Sequence, residues 1–431
     1  MIKKIICSIK SAFDTGFFHI MICNILNNLF AFISGILLVR IISKTEYGIY
    51  SYANNTVSYF LIFSGLGMTF ATFQLCCEYQ NKKSQAERIF RYGFGWGYIV
   101  NALLSISAFI YSFFANTSIK GTGSYLACMS LLPITSISLE YITIYFRSRL
   151  DNKRYSYILV INAALTCLCS VLGAKLFGVY GIIFLGYLPS ITCCIIAKSF
   201  MGYHVAPKDK SLAPKMKKTL WKMAITATGS NAVNNMLYLI DISVIGAFMK
   251  DEMAVASYKI ASTIPSAMNS IPYTAAIYFY PFFASHINDI SWTRRMVKKL
   301  VFWASLGFGA ISLGMIFLAN YIVPTVFGTQ YKDAVPIFQV LCISFFFQAT
   351  FRVIFGNLLT TQRKFTTNLV SSILTGIVNI LGDILLIRHF NAMGVALATL
   401  IVMIFSGTFC MSCYFYTLRK RLLKTWNSTL K

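Results

Sequence analysis

Asp241 and Lys259 stand deep inside apolar sequence, nine residues on either side of Lys250. Around them, MLYLIDISVIGAFMKDEMAVASYKIA (236–261) reads as two apolar helices joined at a short charged turn, Lys250-Asp251-Glu252. Two antiparallel helices rising 1.5 Å per residue bring both charges to a similar depth, roughly 10–14 Å from the turn. In hydrocarbon an isolated charge costs about 2.5–3.5 kcal/mol on insertion scales. An opposite neighbour offsets part of that desolvation. The spacing predicts that Asp241 and Lys259 face one polar cavity or packed seam, within reach of a salt bridge or a bridging water. Such a pair either fixes the two helices or exchanges one partner for the charge of a ligand.

Other charges interrupt apolar runs. Glu140 and Arg352 lie 212 residues apart. They either face each other and close a cavity in its cytoplasmic half, or pair and snorkel separately. Arg40 ends the first apolar run, where it meets an anion or anchors at the headgroups. Asp383 is expected to be hydrogen-bonded between helices. No catalytic or metal chemistry emerges. His19, His204, His286 and His389 lack ligand spacing, and the 12 Cys read as small buried hydrophobes. No phosphate-binding G-x-x-x-x-G-K-[ST] loop is present.

Charges so placed need a membrane-spanning scaffold. Of the 431 residues 57% are hydrophobic and 12% charged, against about 25% charged in soluble domains. Mean hydropathy is +0.66. That apolar surplus cannot be hidden in a soluble core, so the composition describes an all-α integral membrane protein. The long continuous runs do not alternate as barrel strands do. Twelve transmembrane helices are expected, among them 17–40, 48–76, 123–147, 221–248, 254–284, 333–358, 366–387 and 392–417. Pro265, Pro272 and Pro281 should bend the eighth, since each removes a backbone donor. In the opening MIKKIICSIKSAFD, Ile2, Ile5, Ile6 and Ile9 share a helical face. That start reads as an interfacial helix or a frayed terminus, not as a cleaved signal.

The net charge of +25 is no nucleic-acid footprint, because the basic residues form short blocks between apolar runs. Of the 38 Lys and Arg, 29 fall on the side that holds both termini and 7 on the other. The positive-inside rule makes the first side cytoplasmic. KLFGVYG from Lys175 recurs as RHFNAMG from Arg388, 213 residues on, and YSYA at Tyr50 as YKIA at Tyr258, 208 residues on. Ordered matches at a near-constant offset point to duplication. Six spans per half make the repeat parallel. The expected organisation is an N-terminal lobe 1–200, a linker 201–221, a C-terminal lobe 222–418 and a basic tail 419–431. Gly178 and Asn391 in the repeated turn suit a tight reversal, with Lys175 and Arg388 near helix C-termini and headgroups.

Three stretches carry a family resemblance. ISKTEYGIYSYANNTVSYFLIFSGLGMTF (42–70) resembles the opening hairpin of polysaccharide-biosynthesis flippases, with Glu46-Tyr47-Gly48 before the second span and Gly65-Leu66 near its middle. DISVIGAFMKDEMAVASYKIAS (241–262) resembles the family's seventh and eighth spans, and FNAMGVALATLI (390–401) its last hairpin. The family sits in the multidrug, oligosaccharidyl-lipid and polysaccharide (MOP) exporter superfamily. The resemblance implies a V-shaped pair of six-helix lobes around a central cavity lined by spans 1, 2, 7 and 8. It implies flipping of an undecaprenyl-diphosphate-linked oligosaccharide, O-antigen repeat units above all, across a bacterial inner membrane. Family members often carry an Arg shortly after the Gly-Leu pair. Here Gly67-Met68-Thr69-Phe70-Ala71 carries none, so no phosphate contact is carried over to that position. Expected partners are the lipid-linked substrate, the bilayer and other polysaccharide-assembly membrane proteins; nucleic acid and cofactors are not expected.

The implied chemistry is physical rather than covalent, so no enzyme is expected. A sugar chain and its diphosphate cannot enter hydrocarbon without replacing lost water, and a hydrated cavity between rocking lobes replaces it. Arg40, Glu140, Asp241, Lys259 and Arg352 are the candidate cavity residues, with Lys259 exchanging Asp241 for the diphosphate. The alternative is a cation-coupled multidrug exporter of the same superfamily. That function favours an acidic residue in the first span, and none lies between Phe17 and Val39. A membrane glycosyltransferase needs an acid beside long periplasmic loops, whereas the loops expected here are short.

Overall fold

The computed structural model describes residues 17–114, 118–205, 212–285, 289–362 and 364–429. The expected interfacial helix at the N-terminus lies outside them. The helices are α1 (Phe17–Ile41), α2 (Lys44–Ile62), α3 (Met68–Glu78), α4 (Lys83–Ser112), α5 (Thr122–Met129), α6 (Leu132–Arg147), α7 (Asn152–Leu185), α8 (Leu188–Phe200), α9 (Pro214–Met249), α10 (Glu252–Met268), α11 (Ser270–Ser285), α12 (Ile290–Phe327), α13 (Val335–Phe347), α14 (Ile354–Thr361) and α15 (Phe365–Thr429). No strand occurs among the described residues. Among the described residues eight helical stretches are long and apolar enough to cross a membrane. The helix order is consistent with twelve spans, because α7 and α15 each turn a corner inside one helical run.

Those two corners are the repeated turn. Gly178 adopts φ 60°, ψ −141°, and Asn391, 213 positions later, adopts φ 53°, ψ −141°. The close approach beside each corner repeats too. A Cβ on Gly181 would lie 2.1 Å from the Gly173 carbonyl oxygen, and one on Gly394 would lie 2.2 Å from that of Leu386. The pairs 173/181 and 386/394 keep the same offset. Sequence duplication and backbone geometry therefore coincide residue by residue.

The chain forms two compact units, Met1–Leu239 and Ile240–Lys431, divided within α9. Pro214 opens α9, as suits a residue whose missing N–H is unneeded in a first turn. In the first unit α2 is capped by Ser43, whose hydroxyl accepts from Glu46 N–H at 3.2 Å. The second span then breaks. Gly65, Leu66 and Gly67 take φ 56°, 43° and 70° in succession before α3 resumes. A break at membrane depth must satisfy its backbone groups within the protein, and buried Asn101 of α4 supplies partners. Its Oδ1 accepts from Gly65 N–H at 2.7 Å, while its Nδ2 donates to the Pro133 carbonyl at 2.6 Å and lies 3.0 Å from Ser64 Oγ. Gly67 also lets the backbone approach α9: a Cβ there would lie 2.3 Å from the Ala224 carbonyl oxygen.

In the second unit the hydrogen-bonded run of the eighth span is interrupted near its prolines. Pro265 lies inside α10, the run breaks at Asn269, and Pro272 follows in the first turn of α11. Span ten contains a π-helical turn, Gln348–Val353, between α13 and α14. Phe355, Leu359, Cys410 and Tyr414 are among the residues that form the core where α14 meets α15.

Candidate functional site

The second unit concentrates acidic side chains at one buried point. Asp241 is held from three helical segments. Tyr258 of α10 donates its phenolic O–H to Asp241 Oδ2. Thr399 Oγ1, beyond the α15 corner, lies 3.2 Å from the same oxygen and can donate there or to the Val395 carbonyl at 3.0 Å. Asn379, before that corner, places its Nδ2 3.4 Å from Asp241 Oδ1. The Asn391 corner is what brings Asn379 and Thr399 to one carboxylate.

A second carboxylate shares this cluster. Asp383 is fully buried. Its Oδ2 accepts from Asn379 Nδ2 at 3.3 Å, its Oδ1 meets no donor among the described residues, and its carboxyl stands within hydrogen-bonding reach of that of Asp241. Asp383 thus meets a second helix through the Asp241 carboxyl, as a bond between helices requires, and its own helix through Asn379 one turn earlier. Two ionised carboxyls in one dry cluster repel, and an unmade bond to a charged group is costly. A proton or a hard monovalent cation taken up among these oxygens offsets both. No cluster of three or more His, Cys, Asp or Glu suited to a metal occurs among the described residues.

The expected ion pair does not form. Asp241 takes Tyr258, the residue before Lys259, in place of Lys259 itself. Counting rise along two antiparallel helices finds depth but not direction, and adjacent helical residues point about 100° apart. Lys259 is half-buried, and its ammonium has no hydrogen-bond or ion-pair partner among the described residues. Among the described residues it has no opposite charge beside it, one residue from the acidic cluster.

The remaining candidates are placed separately. Arg40 is exposed in the last turn of α1 and takes part in an interaction there. Glu140 is half-buried on α6, with the Thr69 hydroxyl as a hydrogen-bond partner. Arg352 rides on the π-helical turn and donates to Cys410 Sγ at 3.3 Å and Ser372 Oγ at 3.2 Å. Among the described residues, neither Glu140 nor Arg352 meets an opposite charge within its own unit. Cys410 and Cys413 make a C-x-x-C spacing that lies on consecutive turns of α15, both as free thiols. Reading the sequence missed Tyr258, Asn379 and Thr399. The signal was present: Asn379 and Asp383 are one turn apart in an otherwise apolar run.

The comparisons agree with this architecture. Residues 37–336 match the family described as polysaccharide biosynthesis protein. The search of curated proteins returned no match. Among solved structures, an inward-facing multidrug-resistance MATE family transporter of the MOP superfamily shares the fold at TM-score 0.73, with 13% identity over 92% of this chain and 95% of the other. The lipid II flippase MurJ, in an inward closed conformation, aligns at TM-score 0.70 and 13% identity, over 94% of this chain and 89% of that one. A MOP superfamily transporter from Pyrococcus furiosus, whose binding pocket is described as reversed in polarity, aligns at TM-score 0.54 and 12% identity over 94% of each chain. At these identities the structural likeness speaks for the fold, while the match over most of the chain speaks for kinship. The chain is therefore a multi-pass membrane protein of the MOP fold that belongs to the polysaccharide biosynthesis protein family.

Proposed function

We propose that the protein flips an undecaprenyl-diphosphate-linked oligosaccharide, most closely an O-antigen repeat unit, from the cytoplasmic to the periplasmic leaflet of a bacterial inner membrane. Both termini lie on the cytoplasmic side, where the basic blocks gather. The two units act as lobes that expose a hydrated cavity alternately to each side. The observation that carries this reading is the arrangement on α10. Tyr258 ties that helix to the acidic cluster, and the next residue, Lys259, carries an ammonium without an ion-pair partner among the described residues. Lys259 serves as a contact for the diphosphate, and the Asp241–Asp383 cluster takes up a cation or proton. Because one helix carries both, occupancy of the cluster biases the position of Lys259. Arg352 and Arg40 contribute further positive charge along the path, and Glu140 closes against Arg352 when the cytoplasmic side shuts.

A deletion strain tests the transport reading. Surface polysaccharide should disappear, with single lipid-linked repeats accumulating on the cytoplasmic leaflet. Normal arrival of repeats at the periplasmic leaflet, in a strain with no other flippase, overturns it. The multidrug exporter remains the alternative on fold, since the acidic cluster suits cation coupling for either cargo. Drug efflux that persists in vesicles without lipid-linked saccharide would favour the exporter.

A further inference from the structure

Away from the acidic cluster, the second unit carries an apolar slot of about 260 Å³. Ala276, Phe279 and Phe283 line it from α11, Trp303 and Ala304 from α12, and Leu358 from α14. The spacings 276/279/283 and 303/304 put each set on one helical face. The slot exists because α11 and α12 meet at the end of the unit rich in basic residues, where the Phe283 and Trp292 rings lie 5.7 Å apart. Beyond that contact two alanines face the gap in place of large side chains. Phe279 is 36% exposed and Trp303 65% exposed, so the slot opens at the surface.

The helix that walls it begins with charge. Arg294, Arg295, Lys298 and Lys299 are all exposed in the first turns of α12. Lys299 lies one turn before Trp303 on the same face. An aromatic-walled hydrocarbon slot one turn from Lys299, on a helix whose start carries three further cations, is the complement of a long apolar chain that ends in phosphate. The volume falls just below that of pockets for whole small ligands, which suits a segment of a chain. We infer that the slot seats the polyisoprenoid tail of the lipid carrier, with its phosphate first met by the α12 cations. This rests on the flippase reading for the identity of the carrier. A polyisoprenoid is favoured over a straight acyl chain by the walls: bulky rings separated by alanine-sized recesses accept a chain with regular methyl branches. The position also fits. α11 continues the bent span whose other half, α10, carries Lys259, so one span reads both ends of the carrier. The headgroup passes from the α12 cations to Lys259 while the tail stays in hydrocarbon.

Photolabelling tests the assignment. The full chain is reconstituted in phosphatidylethanolamine vesicles with undecaprenyl phosphate bearing a diazirine on its tail. Labelled residues are mapped by mass spectrometry, with unlabelled undecaprenyl phosphate or phosphatidylglycerol as competitor. Labelling is expected on 272–283 and 300–308, reduced at least tenfold by undecaprenyl phosphate and little by phosphatidylglycerol. Ala276→Phe with Ala304→Phe should fill the slot and cut labelling tenfold in protein that still elutes as a single species. Lys299→Gln should weaken labelling by the phosphate probe and leave labelling by a diazirine undecaprenol unchanged. Equal competition by phosphatidylglycerol, or labelling elsewhere only, overturns the inference on the wild-type protein alone, whatever the fate of the filled variant. Flipping of lipid-linked saccharide in the same vesicles separates the two claims. Transport without slot labelling sinks the slot and spares the flippase; slot labelling without transport does the reverse.

Discussion

Each unit buries a polar cluster at membrane depth, and the two clusters are built to opposite ends. In the first unit Asn101 closes around a broken helix. Its amide meets Gly65 N–H and the Pro133 carbonyl, at 2.7 and 2.6 Å, and every member of the cluster is neutral. In the second unit Asp241, Tyr258, Asn379, Asp383 and Thr399 gather two carboxyls and leave Asp383 Oδ1 without a donor among the described residues. The repeat makes this divergence visible. Tyr258 has Tyr50 as its counterpart, but the position equivalent to Asp241 holds Ile33 and that of Lys259 holds Ser51. At these positions the first unit carries no charge where the second carries Asp241 and Lys259. A complete neutral network rigidifies; an incomplete charged one responds to whatever completes it.

The sharpest way to break the comparison is to neutralise the second cluster. Asp241→Asn and Asp383→Asn should each reduce transport to background in a vesicle flipping assay. Folding should change little, since the amide keeps the shape of the carboxyl and removes the repulsion between two buried acids. In wild-type protein, added cation or proton should raise the thermal midpoint by mass action, and either variant should lose that response. If both variants transport normally, the cluster is structural and the contrast between the units collapses.

Next in size is Lys259→Gln, which removes the ammonium without touching the Tyr258–Asp241 bond. It should raise KM for a diphosphate-linked substrate and preserve the cation response of the thermal midpoint. Lys259→Arg should restore most transport, because charge rather than shape is what the site supplies. A Gln variant with unchanged KM would remove Lys259 from the path of the diphosphate.

These expectations show what could be read before the fold was known. Span order, the duplication and the interruption of the eighth span near its prolines were legible, because hydropathy, repeated corners and missing backbone donors are local signals. The depth of Asp241 was legible from rise per residue. Its partner was not, because azimuth depends on how α9 and α10 rotate against α15. Asp383 is legible as an acid inside a span but not as a member of a cluster, since a lone acid in a span carries no mark of its neighbours. The Gly65-Leu66-Gly67 stretch stood out only as a family feature. That it breaks the span follows from Asn101, 36 positions away, and such a pairing is a tertiary fact.

The neutral cluster should respond through stability instead. Asn101→Ala strands Gly65 N–H, at about 1–3 kcal/mol for a buried group left unpaired, while the Pro133 carbonyl keeps the Ser136 hydroxyl at 3.1 Å. Thermal unfolding in detergent should fall by several degrees, and transport should fall in proportion to the folded fraction. The cation response should persist in the protein that remains folded. Loss of that response without loss of stability would show that the first unit's cluster acts on transport directly.

The smallest effect belongs to the corners that the two units share. Asn391 occupies φ 53°, ψ −141°, a conformation that suits glycine and strains a residue with a Cβ by about 1–3 kcal/mol. Its counterpart Gly178, at φ 60°, ψ −141°, meets no such strain, and a Cβ there would have nothing within 4 Å. The corners thus differ in strain but not in shape. Asn391→Gly should raise stability, by about 1 kcal/mol at the low end of that range, and Gly178→Asn should lower it by a similar amount. Gly178→Val should cost more than Gly178→Asn, because a branched side chain tolerates positive φ least. The Asn391 corner holds Asn379 and Thr399 on one carboxylate, so relaxing it also probes the acidic cluster. If Asn391→Gly stabilises the protein but slows transport, the strain at that corner serves the charged cluster. If it stabilises without changing transport, the corner is only a hinge inherited with the repeat.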